Sequence, residues 1–451
     1  MGSFQAQLSL ARPPGAAQPD QARRAAGLTR RAFVALTSGI AGLVAAGPAG
    51  VARADHVPDT PTPKRPPPEE NKTFSPPEVE LTFRNYGMPA EMLREPITPL
   101  GLHYLLIHFD VPRLDPDTYR VTIGGRVNNP MVLTLDDIKA RDNVTQPVIM
   151  ECAGTGRSTM HPRAIYVPWL EQAIGNYEWT GTPLGPILDE AGLLSDAVEV
   201  LFTGFDEGID LGVEHAFERS LPVEQAMADG VMLAWEANGQ PLLPQHGFPL
   251  RLLVPTWYGM ASVKWLRAIT VLREPFKGVE QAKVYRYQQT ADEPGEPVTT
   301  KRVHSVLMPP GIPDLITRYR FVSPGPQTLQ GMAWSAGIPI TRVEVSTDGA
   351  QTWTDAELLP AVGPFSWTPF RSVWQATTPG EYELAVRATD AGGNVQPVDP
   401  NAVWNRQGMG GNGVQRLRVR VQEGIGTASS TVPSTPRIVV DGADSVPRPT
   451  P

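Results

Sequence analysis

Proline and glycine interrupt this chain so often that long helices are disfavoured along most of it. Its 451 residues include 48 Pro and 42 Gly, and the apolar runs between them are short and rich in Val, Thr and aromatic residues. Such runs, bounded by turn-forming residues, are typical of β-strands. We therefore predict a chain built mainly from strands and turns, with few and short helices.

The sequence pattern changes partway along the chain, which predicts two domains and an α+β fold class. Residues 81–290 combine strand-like runs with helical periodicity, which predicts a mixed α/β domain. The helical segments are expected at Trp169–Gly175, Leu184–Ala191 and Leu221–Ala228. Residues 300–422 contain strand pairs around tight Asp348-Gly349 and Gly392-Gly393 turns, whose glycines supply positive-φ positions. This second pattern predicts an immunoglobulin-like β-sandwich.

Residues 1–54 have the features of an export leader. The positively charged region of Arg23, Arg24, Arg30 and Arg31 precedes an apolar stretch from Ala32 to about Ala46, and Ala52-Arg53-Ala54 provides a cleavage site with small residues. The stretch is too short and too polar for a membrane anchor, which needs roughly 20 apolar residues. Residues 29–34, Thr-Arg-Arg-Ala-Phe-Val, resemble a twin-arginine signal, which exports folded proteins. We expect a periplasmic or extracellular protein with no membrane span after processing.

Two further segments have compositions that disfavour packing into a domain. Residues 55–80 carry many prolines among charged residues, which is typical of an extended linker or arm. Residues 423–451 are rich in Ser, Thr, Pro and Gly, which predicts a disordered tail. Both are expected to lie outside the two folded domains.

The charge balance argues against nucleic acid as a partner. The chain carries 39 Lys and Arg against 47 Asp and Glu, a net charge of −8. Nucleic-acid-binding proteins concentrate Lys and Arg on one face, and no such excess is present here. We therefore expect a small-molecule substrate and no nucleic-acid partner.

The only cysteine, Cys152, is the first candidate for chemistry. It lies in the glycine-rich segment 151–157, Glu-Cys-Ala-Gly-Thr-Gly-Arg. A free cysteine taken alone is more often a small buried apolar residue. A nearby cation such as Arg157 and converging backbone amides, however, favour the thiolate, which attacks substrates or binds soft metals. Zinc and attached haem are disfavoured, because the chain has no Cys-x-x-Cys, His-x-x-x-His or Cys-x-x-Cys-His pattern.

Three other segments contain residue types that would hold a buried anionic cofactor. Residues 245–251 place His246 and Arg251 around a Gly and a Pro, and residues 258–265 follow a glycine with Ser262 and Lys264. Hydroxyls, backbone amides and ammonium groups are suited to binding a phosphate. Asp206 follows a predicted strand. Each segment alone would ordinarily be a turn or a surface strand.

Together these segments resemble the sulfite oxidase family of molybdenum enzymes, from about Pro96 to Val421. The resemblance rests on Glu-Cys-Ala-Gly-x-Gly-Arg, His-Gly-Phe-Pro-x-Arg and Ser-Val-Lys-Trp-Leu, in this order. It implies that Cys152 ligates molybdenum, together with the dithiolene of a single molybdopterin. It also implies that the pterin and its phosphate are held by His108, Asp206, His246, Arg251, Ser262, Val263 and Lys264.

The same resemblance implies a substrate pocket and a dimer. Arg157 and Trp169 would line the pocket, and a tyrosine beside the metal would be Tyr285, with Tyr287 as the alternative. Arg371 lies close to the position of another pocket arginine. The β-sandwich corresponds to the domain that forms the dimer contact in the family, so a homodimer is expected.

One departure from the family pattern leaves the substrate open. Sulfite-oxidising members carry an arginine two residues before the histidine matched by His108, and this chain has Leu106 there. Sulfite oxidation, with electrons passed to an external acceptor such as a cytochrome, is our first hypothesis. Reduction of a sulfoxide uses related chemistry and suits an uncharged substrate. A secreted two-domain binding or adhesion protein, in which Cys152 is merely buried, is the non-catalytic alternative.

Overall fold

The computed structural model describes residues 76–425. The predicted leader at 1–54, most of the predicted arm at 55–80 and nearly all of the predicted tail at 423–451 lie outside the described residues. Within the described part, no helix is both long enough and apolar enough to cross a membrane.

Short α-helices are interspersed among the strands. They are α1 (Pro76–Arg84), α2 (Leu135–Lys139), α3 (Leu184–Ala191) and α4 (Val223–Ala226). Helix α3 has the predicted bounds, whereas only a short part of the predicted Leu221–Ala228 segment is helical. The helix predicted at Trp169–Gly175 is wrong, because a strand begins at Ile174 and pairs with the strand that leads to Cys152.

Helix α1 corrects the predicted extent of the arm. The arm was expected to run to residue 80, but the helix already begins at Pro76. Glu78 in its first turn is buried and forms an ion pair with Arg163, which fixes the helix against the first domain. An acidic residue in the first turn also interacts favourably with the helix dipole. Leu81 of this helix reaches the candidate site described below.

The strands of the first part of the chain form two larger sheets and a small one. In chain order they are β1 (Arg120–Gly125), β2 (Met131–Thr134), β3 (Val144–Glu151), β4 (Ile174–Pro183), β5 (Glu199–Asp210), β6 (Val213–Pro222), β7 (Met232–Ala237), β8 (Gln240–Pro241), β9 (Arg251–Leu253), β10 (Leu266–Leu272), β11 (Arg286–Tyr287) and β12 (Glu296–Pro297). One sheet has the order β2-β1-β10-β5-β6, and the other has β3-β4-β7-β8 with β9 beside β7. Strands β11 and β12 pair with each other.

The strands of the second part form two sheets that pack face to face. They are β13 (His304–Leu307), β14 (Ile312–Pro313), β15 (Arg320–Val322), β16 (Gly325–Trp334), β17 (Ile340–Ser346), β18 (Thr354–Asp355), β19 (Glu357–Leu358), β20 (Thr368–Ala376), β21 (Gly380–Asp390) and β22 (Gln415–Val421). The sheet orders are β13-β16-β20-β19 and β14-β15-β22-β21-β17-β18. Buried residues of both sheets share one core, which includes Leu329 and Phe370 from the first and Val343 and Leu384 from the second. The β-sandwich and the α+β class are confirmed.

A buried charge cluster joins the two parts of the chain directly behind Cys152. His304, at the start of β13, lies between Glu151 and Glu171, with N···O distances of 3.1 and 3.0 Å. The Trp334 indole donates to the other oxygen of Glu151 over 2.8 Å. Burial alone would lower the pKa of His304, but the two carboxylates outweigh it and raise the pKa to about 9. The imidazolium therefore connects the last residue of β3 with the segment that follows Trp169.

Replacing His304 should destabilise the fold strongly. His304→Gln leaves two buried carboxylates without their cation, and breaking a buried ion pair on one side costs about 3–5 kcal/mol. Denaturant unfolding of the variant and the wild type measures this loss. The matched control is Arg371→Gln, which breaks an exposed ion pair and should change the unfolding free energy little. Equal stability of His304→Gln and wild type would contradict the proposed role of the cluster.

The same cluster predicts a loss of stability at alkaline pH. The pKa of His304 is raised in the folded state, from 6.5 to about 9. Its contribution is therefore complete below about pH 6.5 and is lost as the pH rises through about 9. Unfolding measured across this range should show a decline that is absent in His304→Gln. A parallel decline in both proteins would assign the effect to other groups.

Candidate active site

The Cys152 turn is built where β3 ends. The amide of Cys152 donates to the Ala173 carbonyl over 2.9 Å, so the residue is still held at the edge of the sheet. The chain then turns through Gly156, whose φ of 73° is a left-handed conformation that favours glycine. A Cβ at Gly156 would also come within 3.0 Å of the Gly411 backbone. The turn therefore depends on a close approach by the second part of the chain.

Two cavities meet at Cys152. The inner cavity is defined by a lining that includes His108, Asp206, His246, Arg251, Ser262 and Lys264. The outer cavity has a volume of about 280 Å³ and a lining that includes Leu81, Arg157, Trp169, Ile209, Val284 and Met409. Leu106, His108, Cys152 and Tyr285 line both. A group bound in the inner cavity can thus meet a molecule in the outer cavity beside the sulfur.

The inner cavity contains buried polar atoms that have no hydrogen-bond partner among the described residues. They include Asp206 Oδ1 and His246 Nε2. A buried polar atom without a partner costs about 1–3 kcal/mol, so such atoms rarely accumulate without a purpose. Their convergence on one cavity indicates a polar ligand. His103 was missed from the sequence, and its ring occupies the space left by Gly175, where a Cβ would lie only 2.3 Å from the ring.

The histidines of the inner cavity are neutral. Burial lowers the pKa of His103 to about 4, and burial together with Lys264 and Arg219 lowers the pKa of His108 to about 3. The pKa of His246 is also far below its usual range, because the ring is buried next to His103 and Arg251. A neutral imidazole has one donor and one acceptor nitrogen. These rings can therefore form hydrogen bonds with a heterocycle without repelling a cationic group.

Lys264 and Asp206 supply the charges at the inner cavity. The Lys264 ammonium donates to the carbonyls of Leu106 and Gln245 at 2.8 and 3.4 Å. Burial lowers the pKa of Lys264 and raises that of Asp206, and the attraction between the two opposes both shifts. An anionic ligand such as a phosphate would stabilise the charged ammonium.

Arg251 mainly holds two loops of the inner cavity together. Its guanidinium donates to the carbonyls of His246 and Ser262, both at 2.9 Å, and it is buried. The Ser262 hydroxyl accepts from the amide of Val254 over 3.0 Å, which leaves its own O–H free to donate. Val263 was predicted to hold the cofactor, but its side chain is fully buried in the core and its amide donates to Ala261. Among these three, Arg251 and Ser262 line the cavity and Val263 does not.

The Cys152 thiol does not have the low pKa that the sequence suggested. Burial raises its pKa, and the opposing effects of Arg157 and of the Gly154 amide, 3.4 Å from Sγ, do not outweigh it. The sequence shows the neighbouring cation but not the depth of burial. Coordination to a metal would remove the thiol proton regardless, since a coordinating thiol is deprotonated.

Arg157 and the aromatic residues form the wall of the outer cavity next to Cys152. The Arg157 guanidinium is buried and donates to the carbonyls of Gln407, Gly408 and Val167 at 3.1–3.3 Å. Trp169 and Tyr285 line the same cavity. The Tyr285 hydroxyl and His108 Nε2 form a hydrogen bond of 2.6 Å, and burial raises the pKa of Tyr285 well above the usual range. Tyr287 lines neither of these cavities, which favours Tyr285 as the tyrosine of the site.

Arg371 does not reach either cavity. It lies on an exposed face of β20 and forms an ion pair with Glu357 at 2.7 Å. Side chains alternate along a strand, so the neighbouring Phe370 points into the sandwich core while Arg371 points outward. The prediction that Arg371 belongs to the pocket is wrong. The second part of the chain contributes Met409 instead, from a glycine-rich loop at 404–414.

The departure at Leu106 makes the outer cavity predominantly apolar. Leu106 lines both cavities, and its carbonyl accepts from Lys264. Leu81, Ile107, Phe109, Ile209 and Val284 line the same space. Among the described residues, Arg157 is the one Arg or Lys in this lining, and two carboxylates, Asp210 and Glu280, accompany it. Sequence reasoning missed both carboxylates, because they come from segments outside the recognised motifs.

Comparison with known families matches both parts of the chain. Residues 108–280 match the model of the oxidoreductase molybdopterin binding domain. Residues 298–422 match the model of the Mo-co oxidoreductase dimerisation domain. The first match contains the Cys152 turn and His108, while Leu106 and Tyr285 lie just outside its two ends, and the second contains the sandwich.

Relatives and a solved structure support the same assignment. The mitochondrial sulfite oxidase of Homo sapiens is 34% identical over 359 residues, and the match spans 75% of this chain but only 64% of that protein. A nitrate reductase of Brassica napus is 30% identical over 366 residues, or 39% of its length. The crystal structure of the sulfane dehydrogenase SoxCD from Paracoccus pantotrophus superposes with a TM-score of 0.65 at 29% identity, covering 78% of this chain and 89% of that chain. Sulfite oxidase of Gallus gallus is 32% identical over 350 residues, 72% of this chain and 73% of the relative. With both domain types and this similarity, the chain belongs to the sulfite oxidase family of molybdopterin oxidoreductases.

Proposed function

We propose that this protein transfers an oxygen atom at a sulfur centre and exchanges the two electrons with an external partner. The observation that carries the proposal is the meeting of two cavities at Cys152, one polar and one mainly apolar with a single arginine among its described lining. A cofactor in the inner cavity and a substrate in the outer cavity would then be in contact next to the Cys152 sulfur.

The residues of the inner cavity fit a molybdenum cofactor. Cys152 would supply the soft ligand that the metal prefers. His108, Asp206, His246 and Lys264 would bind a single pterin and its phosphate, since unpartnered polar atoms of Asp206 and His246 line this cavity. Arg251 would keep the two contributing loops at a fixed distance. When bound, the cofactor supplies the oxygen-atom and two-electron chemistry.

Sulfite oxidation to sulfate is our first hypothesis for the reaction. Arg157 would bind one oxygen of the anion, because two of its five N–H groups remain for a ligand after its contacts with protein atoms. Trp169 would exclude water from the same wall. Tyr285, hydrogen-bonded to His108, would donate towards the substrate side of the metal.

Sulfoxide reduction is a second candidate, favoured by the composition of the outer cavity. Leu106 cannot clamp an anion, and Asp210 and Glu280 in the same lining would repel one. A dialkyl sulfoxide carries no net charge and has an apolar body that would pack against Leu81, Ile209 and Val284. The oxygen removed from sulfur leaves as water.

We propose a separate electron partner and a homodimer. The chain has no Cys-x-x-Cys-His pattern for attached haem, so electrons would pass to an external protein such as a cytochrome. The match to a dimerisation domain at 298–422 supports self-association through the sandwich. Light scattering of the processed protein would measure its mass directly.

Loss of the Cys152 sulfur should abolish activity and lower the metal content. Loss of residues that merely orient a metal ligand costs about 10–100-fold, so Cys152→Ser should reduce turnover at least about 100-fold. Elemental analysis and turnover with an artificial electron acceptor measure both effects. The matched control is Thr155→Ser, which keeps the hydroxyl bonded to Ala173 in the same turn. Full activity of Cys152→Ser would contradict the assignment of the ligand.

An arginine at position 106 should shift the enzyme towards sulfite. A charge-assisted hydrogen bond contributes about 1.5–3 kcal/mol, so Leu106→Arg should raise kcat/KM for sulfite by about 10-fold or more. The same variant should lower kcat/KM for methionine sulfoxide, since it places a charge against an apolar body. Leu106→Met is the control and should leave the ratio of the two unchanged. An unchanged ratio in Leu106→Arg would show that Leu106 does not face the substrate.

We also propose export by the twin-arginine pathway, from residues 29–34. Arg30→Lys with Arg31→Lys should hold the protein in the cytoplasm of a bacterial host, because the signal depends on the paired arginines. Cell fractionation measures the distribution. Arg23→Lys with Arg24→Lys is the control, since it makes the same change outside the motif. Unimpaired export of the first variant would contradict the proposal.

A further inference from the structure

Glu280 lies in the wall between the outer cavity and the protein surface. It lines the outer cavity, and it also lines a third cavity of about 300 Å³ together with Val213, His215, Glu218 and Lys283. Its exposed fraction is 1%. It begins a single π-helical turn at Glu280–Val284, a conformation that is rare and frequent at functional sites. The proposed oxygen transfer gives this carboxyl no part in proton transfer.

The two carboxyl oxygens of Glu280 have different environments. Oε1 lies 3.4 Å from His215 Nε2, and His215 lines the third cavity. Oε2 is buried and has no hydrogen-bond partner among the described residues. A buried carboxyl oxygen without a partner is costly, which indicates a water molecule or a substrate group that completes it. The Glu280 carboxyl therefore contacts His215 through Oε1 and leaves Oε2 available for a water molecule or a substrate group.

The tautomer of His215 fixes the direction of this bridge. Its Nδ1 lies 2.9 Å from the Val213 carbonyl, which can only accept, so Nδ1 carries a proton. In the neutral ring Nε2 is then an acceptor, and it accepts from the Glu280 carboxyl when that group is protonated. If the proton crosses, the result is an imidazolium beside a carboxylate. The contact between Oε1 and Nε2 is therefore a path along which one proton can pass between the two groups.

The neighbourhood of Glu280 permits both protonation states. Burial and the nearby Asp210 raise the pKa of Glu280 to about 7, against the opposing effects of His215 and Arg219. The main-chain carbonyl of Glu280, not its carboxyl, accepts from Arg219 at 2.6 Å and from the Tyr285 amide at 3.2 Å. The charged and titratable groups that face this region are Asp210, His215, Arg219, Tyr166, Arg157 and Tyr285, together with Glu218, Lys277 and Lys283 of the third cavity.

The proposed reaction requires proton movement in either direction. Sulfite plus water gives sulfate, two protons and two electrons, so two protons must leave. A sulfoxide plus two protons and two electrons gives a sulfide and water, so two protons must enter. In both cases the electrons go to or come from the external partner. The lining of the outer cavity is mainly apolar, and Glu280 is one of the two carboxyl groups in it.

We propose that Glu280 carries protons between the outer cavity and the solvent by way of His215. During sulfite oxidation, Oε2 accepts a proton from water in the cavity, and the Oε1 proton passes to His215 Nε2 and on to the third cavity. Sulfoxide reduction runs the same transfers in reverse. The inference rests on the proposed oxygen transfer but not on its direction.

Glu280→Gln tests the relay, because it keeps the shape of the side chain and removes the exchangeable carboxyl. Proton transfer by a positioned group contributes about 10²–10⁴-fold, so kcat should fall about 100-fold while KM changes little. The limb of the pH–kcat profile near neutral pH should disappear, and Glu280→Asp should restore part of both. Glu218→Gln is the matched control, since this carboxylate lines the third cavity but is bonded to Thr203. Wild-type kcat and an unchanged pH profile in Glu280→Gln would overturn the relay.

A second readout separates failure of the relay from failure of the proposed function. Infrared difference spectra of the metal-loaded enzyme, reduced with titanium(III) citrate against oxidised, should contain a carboxyl band that is lost in Glu280→Gln and shifted in Glu280→Asp. This measurement needs no substrate. If the wild type turned over no sulfur compound but showed this band, the oxygen-transfer proposal would fail and proton uptake by Glu280 would stand. The absence of the band in loaded wild-type enzyme would overturn the relay even if sulfur substrates were turned over.

Discussion

The Cys152 turn is held in place by hydrogen bonds from both parts of the chain. On its own side, the Cys152 amide is bonded to Ala173. From the other side, the Gly410 amide donates to Ala153 over 2.6 Å, and the Phe365 carbonyl accepts from Ile149 over 3.0 Å. The buried Glu151–His304 pair adds a charged contact at the residue before the cysteine. The position of the sulfur is therefore a property of the two domains together, and the sandwich supports the site as well as any dimer.

With the Cys152 turn held by both domains, the two cavities that meet at the sulfur differ in polarity. The inner cavity offers neutral imidazoles, a lysine and unpartnered polar atoms, which suits a polar heterocycle with a phosphate. The outer cavity offers Arg157, aromatic rings and aliphatic side chains, with Glu280 in its wall. A cofactor that stays bound needs polar residues that hold it tightly, whereas a substrate that exchanges needs a cavity that it can enter and leave. A change at Ile209, which lines the outer cavity and not the inner one, can therefore alter substrate preference without disturbing the residues that hold the cofactor.

The sequence predicted those features that depend on local pattern or on motifs. The strand-rich fold, helix Leu184–Ala191 and the convergence of His108, Asp206, His246 and Lys264 on one cavity are such features. Contacts between distant segments were not predictable, because periodicity carries no information about them. His103, Met409 and Glu280 reach the site in this way. The prediction of a lowered pKa for Cys152 was wrong for a related reason. Burial raises this pKa by more than the neighbouring Arg157 lowers it, and burial is not visible in the sequence.

The central claim is that a heavy metal is bound to Cys152 at the junction of the two cavities. Diffraction from crystals of the cofactor-loaded protein, collected at the molybdenum absorption edge, locates the metal without reference to activity. The claim predicts one anomalous peak at bonding distance from Cys152 Sγ, between the inner cavity and Trp169. A fully loaded protein whose peak lies away from Cys152 would contradict it.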